Sequence, residues 1–148
     1  MLYLQFYLDE YQYVLSTRDV VEIVPEIALT PMPKVPGYIK GICNYHGQSV
    51  PVIDVCSLFL ERPCRRQLSS RIIFIEVNIS EGERRIIGLL VEKATETIKA
   101  DKSSFMSSGI YGPDIPCLGP VMASEKGLVT LMSPQKIFEH VDRDILFP

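Results

Sequence analysis

The sequence has 148 residues, of which 47% are hydrophobic and 22% charged, and its formal net charge is −3 at pH 7. This composition excludes general disorder, and the acidic balance argues against a bulk electrostatic interaction with nucleic acid or anionic lipid. No apolar run approaches the ~20 residues of a membrane-spanning helix, no signal peptide is indicated, and four cysteines are too few for a disulfide scaffold. We therefore expect a reduced, cytosolic protein with one domain or two small subdomains.

Short apolar segments separated by eleven prolines and nine glycines predict an all-β chain. In chain order, the predicted strands cover residues 2–8, 11–15, 20–24, 38–43, 48–54, 71–77, 85–91, 94–100, 117–124 and 128–132. Short helical turns are expected at 16–19 and 54–59, and Ser133-Pro134 begins a short C-terminal helix that reaches about residue 141. The proline-dense stretch 30–36 and residues 106–120 are predicted to be loops.

The strands 38–43 and 48–54 are separated by Asn44-Tyr-His-Gly47, which has the composition of a type I turn and predicts a hairpin. Pro51 cannot donate a hydrogen bond to a neighbouring strand, so its strand is expected at a sheet edge or a bulge. Val50 and Val52 would then form an apolar edge on which another barrel or helix could dock. The alternative is that a neighbouring loop of the same protein covers this edge.

Two further features concern the organisation of the strands. Gly41 and Gly88 lie inside predicted strands, which indicates a bulge, a close backbone approach or a docking partner. The polar, basic segment 62–70 is predicted to be a linker that divides the strands into two groups, although strands could cross over between them. Two groups of about four or five strands predict two small barrels.

The sequence contains no nucleotide-binding, serine-hydrolase or metalloprotease motif, and it has only two histidines, His46 and His140. So few general-base candidates make hydrolysis or group transfer a poor hypothesis. Glu22 and Asp54 are interpreted as ordinary cap or rim carboxylates rather than an acid–base pair.

A zinc site and a nucleic-acid surface are the alternatives. Zinc could use Cys43-x-x-His46 with Cys56 and Cys64, but seven residues separate the second pair, whereas two to four are usual, and the cysteines lie on apolar elements. Basic residues around the linker could contact phosphates, although a solvated linker is the favoured interpretation. These residues are Arg62, Arg65, Arg66 and Arg71. A small zinc- or nucleic-acid-binding barrel protein therefore remains the alternative function.

Residues 38–54, YIKGICNYHGQSVPVID, resemble the signature of CheW-like domains, the coupling proteins of bacterial chemosensory arrays. Residues 19–23 and the prolines of 33–36 are similar to the family's upstream pattern, and 87–92 and 128–137 are similar to its later strands and closing helix. The resemblance covers nearly the whole chain, and its central motif is long and specific.

The resemblance implies two five-stranded SH3-like barrels packed together, with short helical turns and a receptor-binding groove between the barrels. It also implies an adaptor without catalytic activity or cofactor, which binds the cytoplasmic tip of methyl-accepting chemotaxis receptors and the regulatory domain of a CheA-type histidine kinase. The candidate partner-binding residues are Glu22, Gly41, Asn44, His46, Gly47, Val50, Pro51, Val52 and Asp54.

One position departs from the family pattern. The family motif is usually N-L-R-G, whereas Tyr45 and His46 stand at its two central positions here. Histidine is mostly neutral at pH 7 and has fewer donors than arginine, so a partner that pairs with the arginine must be contacted differently. A dedicated, non-standard pathway with compensating partners is one explanation, and a protein that docks without coupling is another.

Overall fold

Ten strands and two short helices make up the regular structure of the described residues, 1–25, 27–112, 115, 117–141 and 146–147, in a computed structural model. The strands are β1 (Leu2–Leu8), β2 (Tyr11–Ser16), β3 (Val20–Pro25), β4 (Ile39–Tyr45), β5 (Gln48–Asp54), β6 (Arg71–Ser80), β7 (Glu83–Val91), β8 (Lys93–Lys99), β9 (Val121–Ser124) and β10 (Gly127–Leu131). The helices are α1 (Val55–Leu60) and α2 (Pro134–Glu139), and 3₁₀ turns cover Thr17–Asp19 and Lys102–Ser104.

The strands form two five-stranded sheets, which confirms the predicted all-β class. The first sheet has the order β8-β1-β2-β10-β9 and the second has the order β3-β6-β7-β5-β4. Most neighbours are antiparallel, but β10 is parallel to β2 and β5 is parallel to β7. The predicted division at 62–70 does not separate the sheets, because strands on both sides of that segment belong to the second sheet.

A shared hydrophobic core joins the two sheets. Leu4 and Phe6 of β1 belong to the same buried cluster as Phe74 of β6 and Leu89 of β7. The opposite face of β1 is also covered, because Tyr3 packs in a smaller cluster on the first sheet. Both faces of β1 are therefore buried, whereas an alternating pattern is typical of a strand with one buried and one solvated face.

The position of β5 corrects the predicted edge strand. This strand lies between β4 and β7, so it is interior, and its pairing with β7 begins at Val52. Pro51 pairs with Ile42 of β4 and lies just before that second ladder starts. Val50 and Val52 are buried in the core. The predicted apolar docking edge is therefore wrong, and these valines are covered by the chain itself, through the core and β7 rather than through a neighbouring loop.

Local capping signals are confirmed. Asp54 caps α1 by accepting a hydrogen bond from the Ser57 amide at 3.1 Å, and Ser133 caps α2, in which Pro134 occupies the first turn. The predicted 106–120 loop contains no strand in its described part, while its residues 113, 114 and 116 lie outside the described residues. Both helices of the described chain are too short to cross a membrane.

Candidate partner-binding site

The hairpin between β4 and β5 ends in a two-residue turn at His46-Gly47. Both residues have positive φ, +50° and +83°, and the flanking Tyr45 and Gln48 are paired. Positive φ at both central residues defines a type I′ turn, so the predicted type I turn is wrong. The reason is that a two-residue connection must match the twist of the paired strands. The Asn44 side chain still supports the turn, because its Oδ1 accepts a hydrogen bond from the Gly47 amide at 2.8 Å.

Tyr45 organises the charged residues at this turn. Its ring stacks on Phe74 at a centroid distance of 4.2 Å, and its hydroxyl donates to Glu22 Oε1 at 2.7 Å. That hydrogen bond raises the pKa of the Tyr45 phenol, with burial and the charge of the carboxylate acting in the same direction. The phenol therefore stays a neutral donor that holds the Glu22 carboxylate in place.

His46 lies beside this pair and is more exposed than Glu22. Its Nε2 is 3.8 Å from Glu22 Oε1, and its side chain is 76% exposed, compared with 46% for Glu22. The ring also packs edge-on against Tyr45 at a centroid distance of 4.4 Å. We name the exposed residues Glu22, Asn44, His46 and Gly47, together with the partly buried Tyr45, the hairpin tip. The tip offers a carboxylate and an imidazole to a partner.

The hairpin tip also joins the two edge strands of the second sheet. Glu22 belongs to β3 and Tyr45 to β4, and these strands stand at opposite ends of the strand order. Their hydrogen bond therefore brings the sheet edges together through side chains. The tip is held by this closure as well as by its own turn.

A surface groove adjoins the tip. Its walls include Val21 of β3, Gln48 of β5, Ile86 of β7 and Phe147. Its charged residues come from β6 and β7, where Arg84 Nη1 lies 3.6 Å from the Glu76 carboxylate. The groove thus combines apolar side chains with charges of both signs.

Five of the predicted partner-binding residues are structural. Val50, Pro51, Val52 and Asp54 are buried, and Gly41 lies against the loop that contains Thr30. A Cβ at Gly41 would stand 2.6 Å from the Thr30 carbonyl oxygen, and one at Gly88 would stand 3.0 Å from the Val52 side chain. These distances confirm the predicted close backbone approach at Gly41, where the register of β4 also shifts between Ile39 and Gly41. At Gly88 the near atoms belong to side chains instead. The exposed candidates are Glu22, Asn44, His46 and Gly47.

Of the four predicted zinc ligands, Cys56 and Cys64 come together, but Cys43 and His46 do not join them. Among the described residues, the group whose atoms could share a metal is Asp54, Cys56 and Cys64, all buried and within 4.8 Å of one another, without Cys43 or His46. Its carboxylate already accepts hydrogen bonds from backbone amides, including that of Cys64 at 3.0 Å. The hydrogen bond with Cys56 and burial raise the pKa of Cys64 far above its usual range. A protonated thiol is a poor metal ligand.

The segment 62–70 is largely exposed, as predicted for a solvated linker, but hydrogen bonds fix it in place, which corrects the linker prediction. The nearly buried Glu92 accepts hydrogen bonds from both terminal nitrogens of Arg62, at 2.9 and 3.1 Å, and from the backbone amides of Arg65 and Asp9. Burial alone would raise the pKa of Glu92, but these hydrogen bonds outweigh it and lower the pKa to about 2. The basic segment is thereby fixed to the end of β7.

Tyr45 and Glu92 are the important residues that sequence reasoning did not single out. Tyr45 was noted only as a departure from a motif, and nothing in its local sequence indicates contacts with β3 and β6. Glu92 directly follows a predicted strand. The positive charges of Arg62 and Arg65 are the signal in the sequence that a carboxylate could pair with this segment. That Glu92 is the partner of these arginines becomes evident only from the folded structure.

Comparison with known proteins gives consistent matches. A family model described as "CheW-like domain" matches residues 2–142. The chain is 24% identical to "Chemotaxis protein CheW" of Helicobacter pylori over 66% of this chain, and the alignment spans only 56% of that relative. It is 22% identical to "Chemotaxis protein CheW" of Rhizobium meliloti, over 94% of this chain and 88% of that protein. The scaffolding protein TtCheW from Thermoanaerobacter tengcongensis has a similar crystal structure, with a TM-score of 0.78, 27% identity and coverage of 93% and 86% of the two chains.

Proposed function

Because this chain belongs to the CheW-like domain family, we propose that it is a non-enzymatic adaptor in a bacterial chemosensory array. In this role it couples the cytoplasmic tips of methyl-accepting chemotaxis receptors to the regulatory domain of a CheA-type histidine kinase. It is cytoplasmic, and it associates with the membrane array through its partners.

The hairpin tip is the observation that carries this proposal. Its residues 44–47 lie within the motif that resembles the family signature, and Glu22 lies in the upstream stretch 19–23 that also resembles the family. The exposed Glu22 and His46 are held by the Tyr45 hydrogen bond and the type I′ turn. Preorganised polar groups lose little entropy on binding, which suits a partner contact. The adjoining groove with Val21 and Ile86 supplies apolar area for the same contact. We assign this surface to the receptor.

The histidine at the tip gives this adaptor a different receptor preference. An arginine at position 46 would present five donors in a fixed planar fork, whereas the His46 imidazole has only two ring nitrogens. A receptor matched to this protein therefore depends less on an acidic group opposite the tip. Such a receptor is expected in a dedicated pathway.

Calorimetric titration tests the proposal directly. The purified protein is titrated with the kinase regulatory domain and with the receptor tip from the same organism. Saturable binding to both partners is the expected result. Glu22→Gln, which keeps the shape of the side chain, is expected to weaken receptor binding several-fold and to leave kinase binding unchanged. Failure to bind either partner at high micromolar concentration would refute the proposal.

A further inference from the structure

A cleft separates the two edge strands of the first sheet. β8 and β9 stand at opposite ends of the strand order, and no backbone ladder joins them in the described part of the chain. The Met106 backbone pairs with β9 only at Val121. The cleft has a volume of about 690 Å³, which is within the usual size of small-molecule sites. We name this space, lined by Ile98 of β8 and Met122 of β9, the edge cleft. It lies where an added strand would pair with an open sheet edge.

Gln5 of β1 is a buried polar residue that lines the edge cleft. Its exposed fraction is 5%, and its Nε2 donates to Gln12 Oε1 at 3.0 Å and to the Tyr7 hydroxyl at 3.4 Å. Gln12 is itself held by the Lys126 carbonyl, which accepts from its Nε2 at 2.8 Å. No described group donates to Gln5 Oε1, although every fully buried polar side-chain atom of the described residues has a partner. This oxygen therefore faces the cleft and can accept a hydrogen bond there.

The edge cleft combines this polar group with an apolar wall. Gln5 is paired with Glu96 of β8 and with Val14 of β2, so the three side chains project from the same face of the sheet. Val14 packs in the smaller apolar cluster with Met122, which also lines the cleft. A molecule bound here would therefore contact an amide oxygen and an apolar surface at the same time.

Charges of both signs lie on the two sides of the edge cleft. The β8 side carries Glu96 and Lys99, and the turn after β9 carries Glu125 and Lys126. All four side chains are exposed, and none forms an ion pair with another described residue. Glu96 and Lys99 are separated by roughly 10 Å, because they stand three residues apart on one strand. The pattern is complementary to a zwitterion, since each side offers an acid and a base.

The length of the edge cleft matches a short peptide better than a single amino acid. β9 has four residues, which span roughly 13 Å in an extended strand. A peptide of about four residues along this edge would supply backbone amides as donors and alternate side chains for the apolar wall. Its free ends would add an ammonium and a carboxylate, which the charged rim can pair. A segment within a longer chain lacks these end charges, so charge complementarity favours a free peptide.

We propose that the edge cleft binds a short free peptide in an extended conformation. The ends of the peptide pair with the rim charges, an N–H of the peptide donates to Gln5 Oε1, and an apolar side chain packs on Ile98 and Met122. The bound peptide holds β8 and β9 together, and it stabilises the folded protein by mass action. This inference goes beyond the proposed function and does not depend on it.

The proposal is tested by calorimetric titration of the whole protein with two tetrapeptides, tetraalanine and Ala-Leu-Ala-Ala. Both peptides are used with free ends and again with acetylated and amidated ends. Saturable binding of free-ended Ala-Leu-Ala-Ala, with a dissociation constant in the micromolar to millimolar range, is the expected result. Blocking the ends should weaken binding at least tenfold, and tetraalanine should bind several-fold more weakly than the peptide with leucine.

Two variants show whether the peptide binds in the edge cleft. Gln5→Leu removes the acceptor and Glu96→Gln removes one rim charge, and each is expected to weaken binding of free-ended Ala-Leu-Ala-Ala several-fold. Because Glu96 is exposed, its variant decides the test even if Gln5→Leu fails to fold. Glu81→Gln is the matched control and should bind as wild type does, because Glu81 is an exposed carboxylate in the turn between β6 and β7 of the second sheet.

Three outcomes would overturn the proposal. Blocked peptides that bind as tightly as free-ended ones would assign the edge cleft to a segment of another protein instead. Binding that neither Gln5→Leu nor Glu96→Gln weakens would place the peptide elsewhere on the molecule. Absence of binding by all four peptides at millimolar concentration would show that the cleft is not a peptide site. The proposed function is tested separately, by the receptor and kinase titrations.

Discussion

Replacing Glu92 by glutamine keeps the shape of the side chain and removes its negative charge. The folded pKa of about 2 lies below the ordinary value of 4.5, so the ionised carboxylate stabilises the fold. This difference corresponds to roughly 3 kcal/mol at neutral pH, similar to the cost of breaking a buried ion pair. For a chain of this size, we expect Glu92→Gln to lower the melting temperature by roughly 6–12 °C at pH 7.

The pH dependence gives this prediction its sharpest form. Because the folded pKa of Glu92 is depressed, its contribution is complete above about pH 4.5 and is lost as the pH falls towards about 2. The free energies of unfolding of wild type and Glu92→Gln, measured by urea titration with circular dichroism, should therefore converge over this range.

Glu76→Gln is the control for this experiment. The Glu76 side chain is 42% exposed, and its carboxylate forms a solvent-exposed ion pair with Arg84 at 3.6 Å. Removing its charge should therefore cost less than about 1 kcal/mol of folding stability at any pH. A Glu92→Gln loss below about 1 kcal/mol, or a difference from wild type that stays constant between pH 5 and pH 2.5, would refute the reasoning.

Three further predictions follow from the packing and the site. Gly41→Ala should destabilise the fold by roughly 2–4 kcal/mol, because its Cβ would overlap a backbone carbonyl at a positive φ. Gly37→Ala, which has open space around it, should cost far less in the same urea titration. In the native protein at pH 8, Cys64 should resist alkylation and Cys117 should react first, as mass spectrometry of labelled peptides would reveal; early labelling of Cys64 would contradict its burial and its raised pKa. His46→Arg should strengthen calorimetric binding to a receptor tip from a pathway whose adaptor has arginine there, and unchanged affinity would remove the argument from that residue.

Local signals in the sequence predict most strands and helices, but they do not predict which strands pair with one another. Alternation predicts β1, and the spacing of Asp54 predicts the cap of α1, because both depend on nearby residues. Pro51 lacks a backbone N–H donor, which is typical of an edge strand. Only the order of the strands shows that β5 is interior. The parallel contact between β5 and β7 leaves no local trace in either segment.

The sequence also predicts only part of the candidate site. The motif located Asn44 and Gly47, whose roles in the turn depend on residues beside them. The valines of the same motif were assigned to a docking surface, although apolar residues on a strand indicate a core equally well. The basic segment was misjudged because the carboxylate that holds it, Glu92, comes 30 residues after Arg62 in the chain.

The strand order has a consequence for how the protein forms during synthesis. All five strands of the second sheet have been made once residue 91 leaves the ribosome, so that sheet can assemble early. The first sheet must wait, because Tyr13 of β2 pairs with Thr130 of β10. Until β10 has been made, the apolar side chains of β1 and β2 are not completely buried. Vectorial synthesis therefore leaves the N-terminal hairpin partly uncovered until the C-terminal strands are made, and slow translation near the C-terminus should lower the yield of folded protein.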